Sequence, residues 1–462
     1  MGIFLSTIDG SIVNVALPTL VQELDAHLAT VEWVVLAYLL TLSTLLLSMG
    51  RLGDMIGKKP IYVAGFIIFT LGSVLCGLAP SVYWLIGFRV LQAIGGSMIM
   101  ALGMAIVTEA FPPSERGRAL GLTGSIVSVG IVLGPTLGGL ILGVLSWHWI
   151  FFVNLPVGIL GTLMVLRFVP SHKPAGRQRF DLAGAAAFFA GLLTILLALT
   201  LGQQAGLSDR RVLFLLAGGL ALLAGFVVIE QRSRQPMLDL ALFRNKLFSV
   251  NLVSGLMTFV AMGGTTFLIP FFLQGVLGYE PRQVGLMMAA IPLAVGVVSP
   301  LSGALSDRLG TRPIAAVGLA VMMLGFYSMS TITADMTALG YVLRFLPIGL
   351  GIGIFQSPNN SAILGTAPRQ RLGVASGLLA ITRNVGQTAG IALLSMVWAG
   401  RVLVHHGAPL PEGANSAPAA AQVAGLHDLF LVIVGLLGFG LALSLWGVFQ
   451  ERRERAAAAA AD

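Results

Sequence analysis

Apolar runs long enough to cross roughly 30 Å of hydrocarbon recur along the whole chain, and in lipid such runs satisfy their backbone groups as helices. Fourteen are readable, at about residues 3–20, 33–50, 61–79, 82–108, 119–145, 150–169, 182–201, 212–230, 248–273, 283–305, 313–333, 337–364, 373–398 and 429–449. Of the 462 residues, 56% are hydrophobic and 10% charged, against about 25% charged in soluble domains. The expected fold class is an all-α integral membrane bundle.

The chain is built twice. GRLGDMIGKKP from Gly50 returns as GALSDRLGTRP from Gly303, and further matches keep nearly the same offset: Arg89 with Arg344, and Gly121, Gly130 and Gly134 with Gly377, Gly386 and Gly390. Two six-helix units alone would be closer together than this, so a two-helix insertion separates them. The expected organisation is a six-helix bundle over 1–170, an insertion with flanking loops over 171–247, a second six-helix bundle over 248–450, and a basic tail over 451–462.

The net charge of +8 is explained by topology. Along an alternating fourteen-span path with both termini cytoplasmic, twenty of the 27 Lys and Arg residues fall inside, and only Arg210, Arg211, Arg282 and Arg401 outside. Arg89, Arg344 and Arg383 lie within spans. This is the positive-inside pattern, so no nucleic-acid partner is implied. Cys76 alone forms neither an internal disulfide nor a thiolate metal site, and the scattered histidines suggest no metal. No cofactor is expected: there is no phosphate-binding loop for an ATP-driven pump and no clustered catalytic set. The MGIFLS start leaves no segment for a lipid anchor, no cleavable leader is expected, and the short front of the first span suggests a native start upstream of Met1.

Asp9 is the one carboxylate placed well inside a span by these boundaries, and an ionised Asp at a helix centre costs about 3 kcal/mol. It therefore needs a partner, and Arg89 in the fourth span of the same half is the candidate. A change in their separation would switch the protonation of Asp9, which is the physics of proton coupling; a fixed ion pair joining two helices is the structural alternative. Arg344 and Arg383 have no acid within the spans of their own half, leaving backbone carbonyls, water or substrate as partners. In the repeated loop, Gly50, Gly53 and Gly57 allow a tight turn while Asp54 and Lys58 offer charges to helix ends, an arrangement suited to a latch. Gly130, Gly134, Gly138 and Gly139 permit close helix contact, and Pro135 a bend. Candidate cavity residues are Asn14, Trp33, Tyr38, Gln92, Phe259, Phe267, Gln274, Phe326, Gln356, Asn359 and Asn360, with Arg344 and Arg383.

The repeated loop resembles the signature between spans two and three of the major facilitator superfamily. IDGSIVNVALP from Ile8, RVLQAIGG from Arg89, GIVLGPTLGG from Gly130, WHWIFFVNLPVG from Trp147 and FDLAG from Phe180 are similar to motifs of its fourteen-span drug:proton antiporter branch, the EmrB/QacA type. Ala93, His148 and Ile391 depart from the usual pattern. The resemblance implies a secondary transporter, not an enzyme, exporting drug-like compounds against protons. It also implies a cytoplasmic gate in which Lys58 pairs with Glu109 and Asp54 meets the thirteenth span near Arg371, with Asp307 in the second copy. The scarcity of other buried acids favours neutral, monocationic or amphiphilic substrates over dications. A bacterial inner-membrane location and a monomer are expected; the alternatives are an uptake symporter for a small metabolite and a dedicated single-antibiotic exporter.

Overall fold

The computed structural model describes residues 1–110, 129–130, 133–171, 181–206, 208–233, 240–366, 372–408, 410 and 413–459. Its helices are α1 (Gly2–Glu23), α2 (Leu28–Ile56), α3 (Lys58–Gly77), α4 (Val82–Ala110), α5 (Leu133–Leu142), α6 (Trp149–Phe168), α7 (Leu182–Ala205), α8 (Arg210–Arg232), α9 (Lys246–Val276), α10 (Pro281–Leu309), α11 (Thr311–Met329), α12 (Ala338–Thr366), α13 (Leu372–His406) and α14 (Ala419–Ala459). Thirteen of these are long and apolar enough to cross a membrane; α5, the described part of the expected fifth span, is shorter. The protein is an all-helical membrane bundle.

Short polar residues start several helices. Asp181 caps α7 by accepting from Gly184 N–H at 2.8 Å, Asp209 caps α8 through Arg211 N–H at 2.7 Å, and Asn245 caps α9 through Leu247 N–H at 3.0 Å. Glu280 opens α10 in a capping box with Gln283. Phe272–Val276 at the end of α9 winds as a π-turn, a local widening that re-aims Gln274.

The duplication reappears as packing. Glycines bring α3 against α4 at Gly65, Gly72 and Gly95, and bring α11 against α12 at Gly318, Gly325 and Gly351. Gly130, Gly134 and Gly138 lay α5 on α1 at Thr7, Ser11 and Ile12, just as Gly386 and Gly390 lay α13 on α9 at Leu256 and Val260. Helix five therefore rests on helix one in both halves. The repeated loop also recurs in backbone form. Gly57 ends α2 at φ 112°, ψ 140°, and Gly310 ends α10 at φ 94°, ψ 146°. Each donates its N–H 2.9 Å to the carbonyl four residues back, Gly53 and Ser306, before the next helix begins at once. A positive φ of this size is glycine territory.

Two seams related by the duplication join the halves, α2 against α13 and α5 against α10, and α1 also meets α9 between them. The inserted helices α7 and α8 pack on each other, and α7 lies across the α2–α13 seam. The apolar surface of α8 is mostly left to lipid.

Candidate functional site

Asp9 stands in α1 with 0% exposure, and Arg89 in α4 with 1%. Arg89 Nη1 donates to Asp9 Oδ2 at 2.7 Å. The other carboxylate oxygen accepts from Gln92 Nε2 and from Asn154 Nδ2, each at 2.8 Å. Behind them, Ser73 Oγ accepts from Asn154 at 3.0 Å and from Gln92 at 3.2 Å, and donates to Phe151 O at 2.9 Å. Arg89 Nη1 also donates to Gln92 Oε1 at 2.7 Å, and its Nε donates to Val34 O at 3.1 Å. The guanidinium lies over the Tyr38 ring, 4.1 Å from its centroid.

Five helices of the first half thus converge on one carboxylate. The charges cancel and each Asp9 oxygen has a donor, which makes a buried ion pair tolerable in a bundle. The expected Asp9–Arg89 partnership is present. Gln92 and Tyr38, expected from the sequence to line a cavity, belong to this network, and Asn154 and Ser73 complete it. Asn154 lies inside the WHWIFFVNLPVG segment, where a neutral amide in an apolar run was the available signal.

Among the described residues, the second half lacks this arrangement. The helix-five contacts align Thr7 with Leu256 and Ser11 with Val260, which sets Thr258 opposite Asp9; Thr258 is buried and donates to Ser254 O at 3.0 Å. Arg344, the counterpart of Arg89, donates instead to Thr331 Oγ1 at 3.3 Å and Gly340 O at 3.2 Å. Arg383 is half-buried, with no ion-pair partner among the described residues.

Asp9 is not the only buried acid. Glu32 has 0% exposure, and Glu230 is buried in α8. The expected second span began at Trp33, one residue beyond Glu32, whereas α2 begins at Leu28.

Other candidates are dispersed. Phe267 and Phe326 are fully buried in the apolar core, Phe326 against Phe430 at 6.1 Å. Gln274 Nε2 donates across the halves to Val15 O at 3.0 Å. Asn14 bonds Gly10 O at 3.3 Å within its own helix, and Asn359 is buried beside Gly255. Trp33, Phe259, Gln356 and Asn360 are half-buried.

In the repeated loop, a side chain at Gly53 would strike Leu102 of α4, while Gly50 has open space and Asp307 is exposed. Arg371 and the side chains of Asp54 and Glu109 lie outside the described residues, so the expected contacts to Lys58 and Asp54 do too. In α5, a Cβ on Gly139 would stand 3.1 Å from Gly285 Cα of α10, and a side chain on Gly285 would strike Pro135 O. The glycine face of α5 therefore touches both the helix that carries Asp9 and the opposite half.

A family model described as Major Facilitator Superfamily matches residues 1–391. The chain is 35% identical over 402 residues to the riboflavin transporter RibZ of Clostridioides difficile, covering 86% of each sequence. It is 33% identical over 437 residues to the multidrug transporter protein MdtP of Bacillus subtilis, covering 93% of this chain and 80% of that one. It is 35% identical over 401 residues to the multidrug resistance protein Stp of Mycobacterium tuberculosis, covering 86% and 74%. Among solved structures, a bacterial homologue of the human lysosomal transporter Spinster superposes with a TM-score of 0.68 at 18% identity, over 96% of this chain and 94% of that one. With its duplicated helix packing and its intramembrane ion pair, the chain belongs to the Major Facilitator Superfamily of membrane transporters.

Proposed function

We propose that this transporter is a proton-coupled exporter of drug-like small molecules, working by alternating access as a fourteen-span antiporter. The observation that carries the reading is the Asp9–Arg89 pair at 2.7 Å, an ionisable pair buried inside the first half. The relatives named as multidrug proteins support export of drug-like compounds. Among the described residues no carboxylate of the second half is buried, which favours neutral or monocationic, hydrophobic or amphiphilic cargo. Both termini face the cytoplasm of a bacterial cell, and the protein acts in the inner membrane as a monomer. The relative named for riboflavin keeps a second reading open, a transporter dedicated to one compound.

The test is export from a pump-deficient bacterium, together with proton release from acid-loaded inverted vesicles when substrate is added. Wild-type chain should lower dye and antibiotic accumulation, and Asp9→Asn should abolish the proton-driven part. Wild-type export by Asp9→Asn would end this reading.

A further inference from the structure

The two seams between the halves are related by the duplication but are built differently. At the α5–α10 seam, backbone meets backbone through Gly139 and Gly285. The α2–α13 seam instead holds a carboxyl group. Glu32 of α2 accepts from Gln203 Nε2 of α7 at 2.6 Å, and its Oε1 lies 3.0 Å from Ser395 Oγ of α13. Gln203 Nε2 is also 3.2 Å from Ser395 Oγ. One buried acid thus joins the first half, the inserted pair and the second half.

No cation balances it among the described residues. The helices packed on α2 are α1, α3, α4, α7 and α13. Helix α7 has no ionisable side chain. On α1, Asp9 is paired and Glu23 is exposed at the helix end. On α3, Lys58 and Lys59 start the helix at the opposite end of the bundle, where Tyr62 also lies, while Cys76 contacts Gln92. On α4, Arg89 is committed to Asp9, Tyr83 is exposed, and Glu109 stands at the far end. On α13, Arg401 and His405 both engage Asp428, His406 closes the helix, and Arg383 is about 18 Å further down the axis at 1.5 Å per residue. On α2 itself, Tyr38 covers Arg89, and Arg51 and Asp54 lie at the other end.

A carboxyl group buried without a cation beside it is held more cheaply as the neutral acid than as the carboxylate. The Ser395 hydroxyl has three acceptors in reach, Ile391 O at 2.5 Å, Glu32 Oε1 at 3.0 Å and Ala392 O at 3.4 Å. The neutral acid carries its proton as a carboxyl O–H. Further along the same seam lies a cavity of about 130 Å³ lined by Leu40, Ser43, Leu196, Thr388 and Leu393 among others.

We propose that Glu32, Gln203 and Ser395 form a second proton site, apart from Asp9, whose bound proton holds the two halves and the inserted pair together at the α1–α2 end. On opening, the Glu32 O–H bond breaks, the proton passes to entering water as hydronium, and the carboxylate is left hydrated. The proposal rests on the alternating-access part of the reading above, and not on its cargo or on Asp9.

The experiment uses the full chain in lipid nanodiscs, with Cys76→Ala, His27→Cys and Val404→Cys carrying spin labels at the α1–α2 end. Pulsed dipolar distances are recorded between about pH 5 and pH 9. The short-distance population should fall at least about threefold as pH rises, and Glu32→Gln, a permanently neutral amide, should keep it throughout. A titration in Glu32→Gln matching the parent overturns the proposal. Should that variant not fold, Ser395→Ala removes a hydroxyl that donates to Glu32 and should move the midpoint up by about one pH unit; an unmoved midpoint overturns the proposal. Asp9→Asn should leave the titration in place, and its loss there would overturn the second site. Proton-driven export by Asp9→Asn would instead overturn the exporter reading while the seam titration stood.

Discussion

Within the repeated motif, Gly57 is held at φ 112°, whereas a methyl group on Gly50 would meet nothing within 4 Å. Gly57→Ala should therefore cost about 1–3 kcal/mol, seen as a lower thermal unfolding midpoint in detergent, and Gly50→Ala should leave the midpoint unchanged. Asn154 gives a second case. Replacing it with Leu removes one donor from Asp9 and one from Ser73 inside the first half, a loss of about 1–3 kcal/mol, measurable in the same assay. Legibility at this scale follows charge. Asp9 and Arg89 stood out because an ionisable group in an apolar run is costly, while Asn154 and Ser73 are neutral and resemble the ordinary polar content of membrane helices. Glu32 escaped for a different reason: an apolar run marks where hydrophobicity starts, and α2 starts earlier, with Glu32 supplied by partners from α7 and α13 that are distant in sequence.

Helix α5 shows what glycine spacing can and cannot reveal. The spacing of Gly130, Gly134 and Gly138 announces a helix packed closely on another, and the structure supplies α1 as that helix. Gly139 looks like one more member of the series, yet it faces α10 of the other half. No local pattern distinguishes these faces, because the distinction depends on how two bundles meet. The outcome of substitution should differ accordingly. Gly139→Val places bulk against backbone atoms that cannot rotate away, so hydrogen exchange over Pro281–Met288 should rise and export should fall about tenfold or more, equivalent to about 1.4 kcal/mol. Gly143→Ala meets only ordinary contacts, at 3.4 Å and beyond, and should leave both readouts unchanged. Equal tolerance of the two changes would mean that the α5–α10 contact is not a working seam.

For the whole molecule, membrane orientation depends on α5. Its described residues cover only about 15 Å at 1.5 Å per residue, yet its direction is clear. Gly130, Gly134 and Gly138 meet Thr7, Ser11 and Ile12 in ascending order, so α5 runs parallel to α1. Gly65 and Gly72 meet Met98 and Gln92, so α4 is antiparallel to α3, and Gly158 and Gly161 meet Thr70 and Phe66, so α6 is antiparallel to α3 as well. The path thus reverses on both sides of α5, as a crossing helix requires. Charge leads to the same place independently: without a crossing at α5, every later loop changes sides, and fifteen of the twenty Lys and Arg residues assigned to the cytoplasm would face outward. Single cysteines in a Cys76→Ala background put this to the test. His27→Cys and Ala408→Cys should react with a membrane-impermeant maleimide on intact cells, and Ser171→Cys only after permeabilisation. Labelling of His27→Cys without Ala408→Cys would give the path an odd number of crossings between them, and with it the fourteen-span topology would fall.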